Sequence, residues 1–210
     1  MIAAAENGKR FCESEEKTMI PFNHLGWFFS RFGPMAYPEE VRRDLCRMLA
    51  SAPEGAALLD LGAGTGILSA YAHQCRHDLQ LIAADPAEGM LRYAPHYVRT
   101  VNARAEALPF ETASFDVVVA GEALHHFQEP SAAVREIARV LKEGGSLFIY
   151  DFNPATIQGG FICRAEKVLG EPGNFFTPDA ISEMLEAYGF TVHTSHYSWR
   201  YTLCCELRPA

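Results

Sequence analysis

One stretch constrains this chain more than any other: Leu58-Leu59-Asp60-Leu61-Gly62-Ala63-Gly64-Thr65-Gly66-Ile67-Leu68-Ser69, where an apolar run drives into three alternate glycines and then into helix-forming residues. The pattern reads as a buried strand, a tight turn and a helix start. Glycine at every second position admits backbone angles that a β-carbon forbids and lets a ligand approach the main chain. The unpaired amides of the following helix add donors for a polar ligand. Dinucleotide-binding domains open in a similar way, but with the spacing GxGxxG. Here Gly66 arrives one residue earlier and Asp60 ends the strand. At this point a plain glycine turn between strand and helix is still open as an alternative.

The rest of the chain supplies the architecture. Strand and helix patterns alternate from Ala56 onward, with strands expected at 57–61, 79–84, 98–103 and 115–120 and helices at 67–75 and 87–94. The continuous β-branched residues of 115–120 suit a parallel strand covered on both faces. A helix over 130–141 follows, with Val134, Ile137, Ala138 and Leu141 on one stripe; Gly144 and Gly145 are expected to end it before a strand over 146–152. Upstream, Pro38 and the acidic Glu39 and Glu40 open an amphipathic helix over 38–49. Downstream, Thr177 and Asp179 cap a helix over 178–188 that stops at Gly189, and 190–199 with 200–207 form a strand pair. Such alternation predicts an open α/β sheet with helices on both faces and a ligand beyond the carboxyl ends of its strands, where the winding reverses. The expected organisation is a loose tail over 1–18 and a single domain over 19–210. That domain comprises a helical segment (19–52), a core (56–152), and a lid with the C-terminal strands (153–210).

With 49% hydrophobic and 21% charged residues among 210, the composition is that of a globular protein with ample chain for one core. Eighteen basic against 26 acidic side chains give a net charge of −8, which opposes broad attraction to nucleic acid. No apolar stretch is long enough to span a bilayer, and a cytoplasmic location is expected. The six cysteines, Cys12, Cys46, Cys75, Cys163, Cys204 and Cys205, show no CxxC spacing, so reduced thiols and no metal site are expected.

Further motifs follow in order. Ile82-Ala83-Ala84-Asp85-Pro86-Ala87-Glu88-Gly89-Met90-Leu91 places Asp85 at a strand end, 19 residues after Gly66. There it can accept hydrogen bonds from ribose hydroxyls, or equally cap a helix. Next come Asn102-Ala103-Arg104-Ala105-Glu106-Ala107-Leu108-Pro109-Phe110, Ser114-Phe115-Asp116-Val117-Val118-Val119, Gly121-Glu122-Ala123-Leu124-His125-His126-Phe127 and Ala138-Arg139-Val140-Leu141-Lys142-Glu143-Gly144-Gly145-Ser146-Leu147. In these residues the chain resembles class I S-adenosylmethionine-dependent methyltransferases, in the broad subgroup that includes ubiquinone and menaquinone biosynthesis methyltransferases. The resemblance is strong over 56–152 and looser over the C-terminal strand pair. It implies a Rossmann-like, doubly wound, mostly parallel seven-stranded sheet with a C-terminal antiparallel pair. It also implies S-adenosylmethionine as cofactor and S-adenosylhomocysteine as product. By that resemblance Gly62, Gly64 and Gly66 run beside the methionine part of the cofactor, with Asp60 fixing the loop. Asp85 holds the ribose, Pro86 and Met90 flank the adenine, Ala105 and Glu106 lie at its far edge, and Gly121 and Glu122 border the sulfonium. Met90 also suits a core position on a helix, and Glu106 a solvated loop carboxylate.

Methyl transfer from a sulfonium is an in-line displacement that needs positioning and exclusion of water, and no metal. A general base helps only where the acceptor must lose a proton, and His125 and His126 are the candidates for it. His73 and His77, one helical turn apart, lack a third ligand and read as a solvated face. The acceptor, expected to be a small molecule, should meet aromatics of 28–37, the loop after Phe127 and residues 153–176, including Trp27, Phe28, Phe29, Phe32, Tyr37, Phe161, Phe175 and Phe176. Those aromatics suit a lid or a homodimer contact equally well, and the oligomeric state is left open. The competing readings are a cofactor-binding module without catalysis and an NAD-dependent oxidoreductase.

Overall fold

The computed structural model describes residues 22–168 and 173–209, so the expected N-terminal tail lies outside the described residues. Seven strands form one sheet in the order β3-β2-β1-β4-β5-β7-β6. They are β1 (Ala57–Leu61), β2 (Gln80–Asp85), β3 (Arg99–Asn102), β4 (Phe115–Gly121), β5 (Leu141–Phe152), β6 (Phe190–Tyr197) and β7 (Arg200–Leu207). β1 to β5 pair in parallel, and β7 runs antiparallel to both β5 and β6. The helices are α1 (Phe22–Phe32), α2 (Glu39–Leu49), α3 (Ile67–Cys75), α4 (Glu88–Leu91), α5 (Pro130–Val140), α6 (Ile157–Val168) and α7 (Pro178–Ala187). The doubly wound sheet and its C-terminal antiparallel pair are those expected from the motifs. None of the described helices is long and apolar enough to cross a membrane.

Successive side chains of a strand point to opposite faces, and the two apolar cores divide accordingly. Leu59, Val118, Leu147 and Ile149 pack with Ile137 of α5 and Leu185 of α7. Their neighbours Leu58, Val117, Val119, Phe148 and Tyr150 pack with Leu45 of α2 and Leu68 of α3. Even the adjacent Cys204 and Cys205 fall on opposite sides. Each fully buried large side chain contributes about 1.5–3 kcal/mol, so β1, β4 and β5 form a stiff platform whose ends can carry a site.

Three local expectations are corrected. The helix expected to run to Leu141 ends at Val140, because Leu141 is already extended and pairs with Phe115 in β5. Gly144 and Gly145 therefore lie inside the strand, where Gly144 at φ +71° accommodates an irregularity in the register. α4 covers only Glu88–Leu91, since Pro95 disfavours helical geometry just before it. Tyr93 and Ala94 close the segment with tight bonds from their N–H groups to Met90 O at 3.0 Å and Leu91 O at 3.0 Å. α6 fills a stretch for which the sequence reading proposed only a lid.

The cysteines give the third correction. Cys46 of α2 and Cys75 of α3 form a disulfide with Cα atoms 5.3 Å apart, while Cys204 and Cys205 are free thiols. The two partners stand 29 residues apart in sequence and meet only because α2 and α3 pack on the same face of the sheet. A second tie holds α2 two residues earlier. The buried Asp44 carboxylate accepts hydrogen bonds from Thr202 Oγ1 at 2.8 Å and from the Tyr197 hydroxyl, anchoring α2 to the C-terminal hairpin. A cross-link closing a loop of this length is worth about 3 kcal/mol. Reductant is thus expected to lower the urea midpoint of the wild-type protein and to leave a Cys46→Ser, Cys75→Ser double variant unchanged, as followed by circular dichroism.

Candidate functional site

The winding of the sheet reverses between β1 and β4, and a cavity of about 690 Å³ opens at the carboxyl ends of these strands. One side is built from the ends of β1, β2 and β3. Gly62, Gly64 and Gly66 have φ values of +66°, +52° and +76°, a region costly for any residue with a β-carbon. Asp85 binds this loop to its own strand. One carboxylate oxygen accepts the Gly64 N–H at 2.8 Å and the other accepts the Ala87 N–H at 2.7 Å. Asp85 thus lines the cavity and closes a turn through the Ala87 N–H, and it is not the cap of α4, whose N-cap is Ala87. Each oxygen keeps a second lone pair toward the cavity that Asp85 lines. Burial raises its pKa, against the pull of the two N–H groups.

The glycines divide their work. A β-carbon on Gly62 would stand 2.5 Å from Ala123 Cβ, so this glycine lets the loop after β4 approach. On Gly64 it would meet only the flexible end of Met90, at 3.2 Å, on the cavity side. Gly66 caps α3 against Pro95 and does not line the cavity. Asp60 stands outside the lining as well. It is buried and accepts hydrogen bonds from the Ser69 N–H at 2.9 Å and the Ser69 hydroxyl at 2.7 Å, which fixes α3 behind the loop. Pro86, Met90, Ala105 and Glu106 line the cavity beyond Asp85. The Glu106 carboxylate is engaged elsewhere, accepting the Gln128 N–H at 2.7 Å and the Glu129 N–H at 3.2 Å just before α5. It is neither a solvated loop carboxylate nor a group aimed wholly at a ligand.

The other side comes from β4, β5, β7 and the N-terminal helices. Gly121 is pressed between Leu68 and Tyr37, and its carbonyl accepts the Tyr37 hydroxyl at 3.0 Å. Burial, then the Glu122 charge, push the Tyr37 pKa well up, so its hydroxyl stays a donor. Glu122 sits at φ +49°, donates its N–H to Tyr150 O at 2.7 Å and pairs with Arg200 Nη1 at 3.3 Å. Burial lowers the Arg200 pKa while Glu122 holds it up.

The tandem histidines part company. His125 is buried, with Nδ1 at 2.9 and 3.0 Å from the two carboxylate oxygens of Asp151 and its ring against Phe152 and Phe175. His126 packs beside it, ring centroids 4.1 Å apart, and lies in the field of Asp85. Both line the cavity. The sequence reading missed Asp151, Arg200, Phe152 and Ile162. Asp151 was available from the same signal that marks Asp60 and Asp85, an aspartate at the end of an apolar strand. Among the described residues no group of three histidines, cysteines or carboxylates could hold a metal ion, and His73 faces His77 at 3.3 Å and stacks on Tyr97.

Burial raises the Asp60 pKa to about 6, with the Ser69 bonds opposing and Asp85 adding to the rise. An acid whose pKa is raised on folding binds more protons in the folded state. Its contribution is full below the unfolded value near 3.9 and is lost as pH rises through about 6. Asp60→Asn keeps an acceptor for Ser69 and removes this ionisation. Its stability relative to wild type is expected to improve by up to about 3 kcal/mol between pH 4 and pH 7, as measured by urea unfolding at both pH values.

Residues 59–149 match the family described as a methyltransferase domain. The ubiquinone/menaquinone biosynthesis C-methyltransferase UbiE of Shewanella frigidimarina is 32% identical over 158 residues, covering 69% of this chain and 63% of that relative. The chain thus spans less than two thirds of the relative's length. Two solved structures share the fold. The YcgJ protein of Bacillus subtilis has a TM-score of 0.69 at 19% identity, covering 82% of this chain and 100% of its own. A SAM-dependent methyltransferase of Thermotoga maritima has a TM-score of 0.64 at 21% identity, covering 89% and 100%. Ordered motifs, sheet topology and these likenesses converge: the chain belongs to the class I S-adenosylmethionine-dependent methyltransferases, a family whose cofactor is S-adenosylmethionine.

Proposed function

We propose that the protein transfers a methyl group from S-adenosylmethionine to a small-molecule acceptor by in-line displacement. The observation that carries this reading is the single cavity at the winding reversal. Its β1–β3 side offers a left-handed glycine loop clasped by a carboxylate, and its β4–β7 side is lined by aromatic and apolar groups. When bound, the cofactor supplies a methyl group already activated on a sulfonium.

The residues fit that group by their chemistry. Asp85 retains acceptor capacity for two ribose hydroxyls, and Pro86, Met90 and Ala105 give an apolar slot for the adenine. Gly62 and Gly64 leave backbone rather than side chain beside the methionine part. Asp60 and Gly66 act from behind, through Ser69 and the start of α3. Glu106 serves mainly by fixing the segment that leads to α5. Gly121 and Glu122 border the transfer position, held by Tyr37 and Arg200. Phe28, Phe32, Phe152 and Ile162 close the acceptor side and exclude water. A small acceptor suits a largely apolar cavity of this size better than a macromolecule does, and the UbiE relative is itself named for a C-methyl transfer in quinone biosynthesis.

Calorimetric titration with S-adenosylhomocysteine and NAD side by side checks the reading. Binding of S-adenosylhomocysteine and none of NAD is expected; binding of NAD alone would favour an oxidoreductase. Replacing Asp85 by Ala removes one to two hydrogen bonds to the ribose and is expected to weaken S-adenosylhomocysteine by about 1–3 kcal/mol. A thermal melt of the variant separates this loss from unfolding of the loop.

A further inference from the structure

We infer that Arg200 selects the acceptor, and that the acceptor is a carboxylic acid with an apolar body, held at the guanidinium by its carboxylate. This rests on the methyl-transfer reading above and names the substrate class within it. Arg200 opens β7 opposite Phe152 of β5 in the antiparallel register, so the two side chains leave the sheet on the same face, and both line the cavity. Among the described residues only Arg104 and Arg200 bring a lysine or arginine charge to that cavity, and Arg104 stands on the β1–β3 side, 3.5 Å from Glu106. Arg200 is therefore the fixed cation of the side that Phe28, Phe32, Phe152 and Ile162 close.

The guanidinium is held in place but not used up. Its Cζ lies 4.0 Å from the centroid of the Trp199 ring and 5.4 Å from that of Tyr150. The Trp199 carbonyl accepts the Asn153 N–H at 2.8 Å, which ties the turn before Arg200 to the end of β5. Both polar contacts fall on one nitrogen: Nη1 donates to the Tyr150 hydroxyl and faces Glu122 Oε1 at 3.3 Å. Nε is buried with no hydrogen-bond partner, and Nη2 has none among the described residues. Those two nitrogens share one edge of the guanidinium, at the spacing of the two oxygens of a carboxylate. A buried donor left without an acceptor is costly, and a planar anion brings it one.

The charges of this wall point the same way. Glu122 is the carboxylate opposite Arg200, and it borders the transfer position in the reading above. A cofactor that carries a sulfonium sets two cations against that one carboxylate, and an acceptor with its own negative charge restores the balance. A neutral molecule of the same shape expels water from the guanidinium and gives no hydrogen bond in return. A site of this kind discriminates by the missing bond rather than by size.

The protein saturated with S-adenosylhomocysteine is titrated calorimetrically with benzoate, phenylacetate, cyclohexanecarboxylate and hexanoate, and with the methyl ester of each. A parallel titration of a Trp27→Phe variant follows the emission of Trp199, then the only tryptophan of the chain. At least one acid is expected to bind at least about tenfold tighter than its ester and to change that emission. Arg200→Gln should reduce the preference to less than about twofold, and Arg200→Lys, which keeps the charge without the fork, should leave it between the two. The ratio of acid to ester is the readout, because an Arg200 that serves only to hold Glu122 affects both members of a pair alike. Should Arg200→Gln not fold, the drop in Arg200→Lys carries the test.

The inference is overturned, with the cofactor reading intact, if no acid is preferred to its ester, if a bound acid leaves the Trp199 emission unchanged, or if the preference survives in Arg200→Gln. Equal affinities for acid and ester, together with a loss of S-adenosylhomocysteine binding in Arg200→Gln, overturn it by placing Arg200 on the cofactor. Failure of the wild-type protein to bind S-adenosylhomocysteine overturns the methyl-transfer reading itself.

Discussion

The Asp85 carboxylate is the point on which the rest of the site depends. It ends β2, and through its two oxygens it fixes the Gly64 amide of one connection and the Ala87 amide of the next. Without it the left-handed turns at Gly62 and Gly64 would be held by the Ala84 carbonyl, which accepts the Gly62 and Ala63 N–H groups at 2.8 and 3.2 Å, and by the Gly66 N–H on Ala63 O at 2.7 Å. Burying a carboxylate in this position is costly, and the hydrogen bonds from the loop offset that cost. The loop and the carboxylate stabilise each other, and the stiff parallel strands beneath keep both in place.

A second carboxylate repeats the device one strand away. Asp60 at the end of β1 fixes Ser69 and so the start of α3, as Asp85 fixes the loop. Asp151 at the end of β5 fixes His125. Three parallel strands thus carry an aspartate near their carboxyl ends that binds their own or a neighbouring connection. In each case the apolar strand carries the acid to the rim of the sheet, where backbone or imidazole donors satisfy it. The strand ends act as fixed electrostatic anchors, while the loops between them are free to differ in length and composition.

Much of this was legible in the sequence where the pattern is local. β1 and α3 fall where the apolar run and its periodicity put them, and the residues singled out by the motifs, except Asp60 and Gly66, gather around one cavity. What could not be read depends on distant partners. Nothing near Arg200 tells that it will face Glu122, 78 positions earlier, since only the antiparallel return of β7 beside β5 brings them together. Cys46 and Cys75 meet for the same kind of reason, through helix packing rather than spacing. The early start of β5 was hidden because Gly144 and Gly145 imitate a helix stop, whereas register with Phe115 decides the boundary.

The same division has a functional consequence. Residues on the β1–β3 side are set by motifs a few positions long, so the local chain almost dictates what binds there. The β4–β7 side is assembled from α1, the turn holding Tyr37, the end of β5, α6 and the β6–β7 hairpin, segments separated by most of the chain. Tyr37 ties this roof to the strand ends: its hydroxyl is bonded to the Gly121 carbonyl and its ring packs on Tyr150, 4.9 Å between centroids. Tyr150 in turn donates to Ala36 O at 2.7 Å and meets Arg200. The segment that roofs the acceptor side is therefore tied to the same strand ends that position the transferred methyl. A change in roof residues such as Phe28 or Phe32 can alter which molecule enters without touching the anchors, whereas a change at Tyr37 disturbs the roof and the ends of β4 and β5 at once.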